Sequence, residues 1–168
     1  MRYFLYELFE AQNRDDVVGE ALVKVDAQWE ENVAAYEHVF TSIHDRLPTS
    51  IVQHFSGWGF HDSRIINIEF EQTSFLRLHV HLTISNAAAR KKDEKLSRLS
   101  FQDVSHFQFQ HLNARNDASV LQLEMDDWLY EEFLPIDDNT LSFEVLLSSS
   151  ANILIHFPNH GVTMTPIE

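Results

Sequence analysis

The chain contains no cysteine. That excludes disulfides, thiolate metal centres and a cysteine nucleophile, and it suits a reducing cytoplasm, where we expect the protein to reside. Glycine is nearly as scarce: Gly19, Gly57, Gly59 and Gly161 are the only four. Their spacing forms neither a phosphate-cradling P-loop nor a dinucleotide fingerprint, and no G-x-S-x-G nucleophile elbow occurs. No stretch reaches the roughly 18 uninterrupted apolar residues that a membrane-crossing helix needs. The apolar start, Met1 to Phe9, is interrupted by Glu7 and closed by Glu10. Acids there are incompatible with the apolar core of a secretory signal, so none is expected.

One further absence is charge of one sign. From Asn116 to Glu168 there is no lysine or arginine, whereas Asp117, Glu124, Asp126, Asp127, Glu131, Glu132, Asp137, Asp138, Glu144 and Glu168 supply ten carboxylates. The whole chain carries a formal charge of −14. Such a surface repels phosphate backbones and anionic bilayers, so neither nucleic acid nor membrane is an expected partner. A basic protein or a cation is the natural complement. Protonating all ten histidines would bring −14 to −4, so association and solubility should respond to mild acid.

What is present describes one folded domain over residues 1–168. Its length supports a core without staples, and thirteen phenylalanines argue against disorder. Residues 1–56 read as mainly helical. Val18, Leu22, Val25, Trp29, Val33, Tyr36, Phe40, Ile43 and Leu47 recur at steps of three and four, one stripe of an amphipathic helix ended by Pro48. Residues 60–168 read as mainly strands, because the period changes to two. Ile66, Ile68 and Phe70 alternate with polar residues, and so do Leu76, Leu78, Val80, Leu82 and Ile84, with Gln72-Thr73-Ser74 as the intervening turn. Further strands are expected over 99–110, with a bulge between Phe101 and Phe107, and over 120–128, 141–147, 153–157 and 162–167. The fold class is therefore α+β: an N-terminal amphipathic helix packed on a mainly antiparallel meander of about six or seven strands.

Three constellations could carry chemistry. His79 and His81 are two apart on a strand, so both point the same way, about 7 Å apart. Two imidazoles so placed can share a divalent metal, and Glu144 and His156 have the polar parity to complete the site. The competing expectation is that they are solvent-facing residues of a half-buried strand, with no cofactor. His61-Asp62-Ser63 stands where helix yields to strand. Short polar side chains there fix turns, and His61 becomes chemical only if acids converge on it. In the segment from Asp126 to Phe133, acids coincide with large aromatics. Asp126, Asp127, Trp128, Tyr130, Glu131 and Glu132 together could form a contact surface for a basic partner. The opposing expectation places Trp128, Tyr130 or Phe133 in the core.

The Met1-Arg2-Tyr3-Phe4 start, His61-Asp62-Ser63 and Trp128-Leu129-Tyr130-Glu131-Glu132 together resemble an uncharacterised bacterial family of domains of unknown function. The resemblance spans most of the chain, implies a bacterial cytoplasmic protein and assigns no catalytic residue. In size and charge the chain is also similar to small immunity proteins that neutralise secreted toxins. The leading expectation is a non-enzymatic acidic interaction module for a basic protein. The alternatives are a metal-binding protein or metal-dependent enzyme using His79 and His81, and a carrier holding a small molecule between helix and sheet.

Overall fold

A computed structural model describes residues 1–86, 93–111 and 127–167. The fold is α+β, and the described residues form three helices, a 3₁₀ turn and eight strands in two antiparallel sheets. Helix α1 spans Tyr6–Gln12 and α2 spans Glu20–Ser42; a 3₁₀ turn at His44–Arg46 leads to α3 at Thr49–Phe55. The strands are β1 (Arg64–Ser74), β2 (Arg77–Ser85), β3 (Leu96–Phe101), β4 (His106–Gln110), β5 (Trp128–Pro135), β6 (Thr140–Leu147), β7 (Asn152–Pro158) and β8 (Val162–Ile167). No helix among the described residues is long and apolar enough to cross a membrane.

The expected stripe exists, but its helix is shorter. Gly19 sits at φ +62° immediately before α2, a left-handed conformation that glycine adopts without steric penalty, and it leaves Val18 outside and exposed. Leu22, Val25, Trp29, Val33 and Tyr36 are only half-buried, whereas Phe40, Ile43 and Leu47 are buried. The helix thus packs into the core at its C-terminal end and leaves the middle of its stripe partly open.

Eight strands in two sheets replace the expected six or seven in a meander. The orders are β1-β2-β3-β8 and β4-β7-β6-β5. The expected strand over 99–110 is two strands in different sheets, separated where Asp103 takes φ +50°. A crossing between sheets, not a bulge, accounts for the broken parity of Val104. Phe101 from β3 meets Phe143 and Phe157 of the other sheet at ring distances of 5.1 Å, so the inner faces share one core. Phe55, Phe133 and Phe143 extend that core toward the helices.

The β1–β2 hairpin is antiparallel as expected, but β1 continues through Ser74 and Phe75-Leu76 form its exposed tip. Arg90, Lys91 and Lys92 lie outside the described residues, and Arg98 of β3 pairs with Glu69 of β1 at 2.7 Å. The expected strand over 120–128 also falls outside them, apart from its last two residues.

Candidate functional site: an aromatic pocket beside an edge strand

Among the described residues β5 is the last strand of its sheet, so one side of its backbone has no strand neighbour there. Edge groups need other partners. At one end the turn after α3 supplies them. Asp62 N–H donates to Trp128 C=O at 2.9 Å, and Trp128 N–H donates to Ser63 C=O at 2.8 Å. His61 Nδ1 lies 2.6 Å from Leu129 C=O. A carbonyl can only accept, so Nδ1 carries the proton and Nε2 keeps its lone pair when the ring is neutral. At the other end, Phe133 N–H donates to the Tyr36 hydroxyl of α2 at 3.0 Å. Helix and turn thus touch the strand at separate points.

Between those points lies a cavity of about 790 Å³. α2 contributes Trp29, Val33, Tyr36, Glu37 and Phe40; the 3₁₀ turn adds His44. The turn after α3 adds Trp58 and His61, β5 adds Leu129, Tyr130 and Glu131, and Phe4 closes one side. The half-buried stripe of α2 from Trp29 to Tyr36 is therefore a pocket wall. Tyr130 stands at its centre, with Phe4 stacked at 5.2 Å, Trp29 at 4.8 Å and His61 at 5.6 Å. Trp58, flanked by Gly57 and Gly59, is 83% exposed and sits 5.7 Å from the His61 ring.

The ionisable groups are unusual. Trp128, fully buried, donates its indole N–H to Glu131 Oε2 at 2.5 Å. Burial pushes the Glu131 carboxyl up to about 7, against the opposing pull of that hydrogen bond. Burial also raises the Tyr36 phenol far above its ordinary range, and it raises Tyr130 with a smaller push from the Asp62 charge. His44 Nε2 is buried without a hydrogen-bond partner among the described residues. Asp62 adopts φ +61°, a conformation aspartate tolerates in tight turns, which fits the turn role expected of His61-Asp62-Ser63.

The acidic–aromatic segment does not lie on one surface. Asp126 is outside the described residues. Asp127 pairs with Arg64 at 2.7 Å. Trp128 and Glu132 are completely buried. Glu132 accepts the N–H groups of Arg2, Tyr3 and Phe4 at 2.7, 2.6 and 2.8 Å, on the strand face opposite Glu131. Tyr130 and Glu131 are left, and both face the pocket. A register shift between Trp128 and Tyr130 separates the two runs of alternation.

The metal quartet does not converge. His79 and His81 belong to the first sheet, where His81 meets Ser100 and Glu71 at 2.8 and 3.1 Å, and His79 lies 3.9 Å from Asp103. Glu144 and His156 belong to the second sheet. Glu144 pairs with the Met1 amino group at 2.5 Å and accepts from Asn152, while His156 packs on His106 at 4.7 Å. Among the described residues no group of three or more histidines and acids is placed to hold a metal ion.

Sequence reasoning missed Trp29, Tyr36, Trp58 and Phe4 as site residues. A tryptophan between two glycines was the available signal, because such a segment buries little and tends to display its ring. No protein-family model matches the chain, and neither a curated protein nor a solved structure matches it.

Proposed function

We propose that the protein binds a small organic molecule in the pocket between α2 and β5, as a carrier or sensor would. The observation that carries this reading is the cavity itself. A volume of about 790 Å³ falls within the usual range for ligand sites, and its walls are aromatic with a few convergent polar groups. Among its walls, burial pushes the Glu131 carboxyl up to about 7, the kind of perturbation that ligand sites often carry. A contact surface for a basic protein is less well supported, since Trp128 and Glu132 would be needed as anchors and both are interior.

The test uses the tryptophans already on the wall. A panel of small aromatic and alicyclic compounds should include members that shift intrinsic fluorescence and raise Tm saturably. Val33→Trp, which fills the cavity from α2, should abolish those responses without lowering Tm. Compounds that bind the filled variant as well as the parent, or a panel that yields no saturable binder, would overturn the reading.

A further inference from the structure

We propose that the ligand is an organic cation, its ammonium or guanidinium group placed against the aromatic faces of Trp58 and Tyr130 with the Glu131 carboxylate as counter-ion; this rests on the pocket being a ligand site. Three observations on the wall agree. First, among the described residues the lining contains no lysine or arginine, while Glu37 and Glu131 are both there, so an anionic ligand would meet like charge without a fixed positive partner among them. Secondly, the rings are offered in the manner that cation recognition uses. Trp58 is 83% exposed, and Tyr130 is half-buried, with Phe4 stacked on one of its faces and Trp29 and His61 tilted beside the ring. The negative faces of tryptophan and tyrosine attract a positive group within about 6 Å, most strongly where water is scarce. Thirdly, Glu131 is a carboxylate with an unused oxygen. Trp128 occupies Oε2, and nothing among the described residues bonds Oε1. A bound cation would supply the charge partner that the described residues do not provide.

The remaining titratable neighbours reinforce the selection. Glu37 faces the site from α2, His44 from the 3₁₀ turn and His61 from the turn after α3; the Tyr36 and Tyr130 hydroxyls complete the set. Lowering the pH protonates Glu131, whose carboxyl burial pushes up to about 7, and so removes the counter-ion. The net charge of −14 also concentrates cations near the protein.

The experiment compares phenyltrimethylammonium, whose charge is permanent, with its neutral isostere tert-butylbenzene, by intrinsic fluorescence and calorimetry at pH 8.5 and 5.5. The cation should bind at least tenfold more tightly than the isostere at pH 8.5. That preference should fall at least fivefold at pH 5.5 and nearly vanish in Glu131→Gln, which can still accept the Trp128 hydrogen bond. Trp58→Ala, at an exposed position that does not threaten folding, should weaken the cation more than the isostere. Equal binding of both probes, or a preference unchanged in Glu131→Gln, overturns cation selection and leaves the pocket reading standing. Failure of both probes to bind the parent counts against the two together.

Discussion

The indole N–H of Trp128 holds Glu131 Oε2 at 2.5 Å, which ties a carboxyl that burial would rather keep protonated to a side chain with no exposure at all. The pair is a conflict left in place: one hydrogen bond favours the charge and the surroundings oppose it. Such residues accumulate where a protein prepares to meet a ligand rather than where it only needs to be stable.

Stability should therefore depend on Glu131 in a defined pH window. Unfolded, the carboxyl titrates near 4.5; folded, near 7. Between those values the folded chain holds a proton that the unfolded chain has released, so this contribution is complete below about 4.5, declines as pH rises and is lost above about 7. The shift limits the loss to roughly 3 kcal/mol. Glu131→Gln should erase the decline and make the variant more stable than the parent at pH 8, by several degrees in Tm. Parallel pH profiles of Tm for the two proteins would show that Glu131 is not buried as described.

Gly59 adopts φ +53° with its missing side chain directed at Glu131. A Cβ there would collide with Glu131 Oε1 and come within 3.1 Å of the carboxyl carbon and of Phe55 Cδ1. Gly59→Ala should cost about 2 kcal/mol from the left-handed backbone and the displaced carboxylate together. The Trp128 emission should shift as its hydrogen bond is broken. Gly57→Ala is the internal control, because its Cβ would meet only the His54 carbonyl at an ordinary 3.7 Å. Equal effects in denaturant titrations of the two variants would refute the close approach.

Glu132 anchors the first residues of the chain to β5. Three backbone N–H groups converge on a carboxylate of zero exposure, an arrangement that glutamine cannot reproduce because its amide offers one acceptor oxygen and turns N–H toward N–H. Glu132→Gln should destabilise by roughly 2–4 kcal/mol. Amide exchange at Arg2, Tyr3 and Phe4 should accelerate far more than exchange in β6 and β7. Unchanged protection at those three amides would remove the anchor from the account. Because Phe4 stacks on Tyr130, the same variant should also loosen the pocket wall.

How much of this was legible depends on the range of each interaction. The α2 stripe and the β2 alternation are local, with periods of 3.6 and 2, and both are readable; in β1 a register shift between Ile65 and Asn67 buries Ile65 and leaves Ile66 and Phe70 exposed. The pairings of β3 with β8 and β4 with β7 join segments far apart in sequence, and no local pattern announces them. The sequence places Glu132 in a contact surface, because nothing local shows that its partners are backbone groups about 130 positions away. Trp29 and Tyr36 looked like core because a pocket wall has the same periodicity as a buried face; only the geometry of the opposing strand separates the two. His79 and Glu144 shared polar parity, but parity cannot say to which of two sheets a strand belongs.

Tyr36 is where the helix and the edge strand meet, and removing its hydroxyl separates stability from ligand binding. The hydroxyl accepts the Phe133 N–H at 3.0 Å, in surroundings that raise the phenol far above its ordinary range. Tyr36→Phe keeps the ring, and with it the contacts to Phe4 at 5.1 Å and Phe40 at 5.8 Å, but strands a backbone donor on β5. An unsatisfied donor of this kind costs about 1–3 kcal/mol. Since α2 and β5 are opposite walls of the cavity, the loss should appear as faster amide exchange at Phe133 and a lower midpoint in denaturant. The aromatic surface offered to a ligand is unaltered, so affinity measured well below the melting transition should change less than threefold. A variant that folds as stably as the parent would show that Phe133 N–H does not depend on Tyr36; one that keeps its stability and loses binding would move the hydroxyl from a structural role into direct ligand contact.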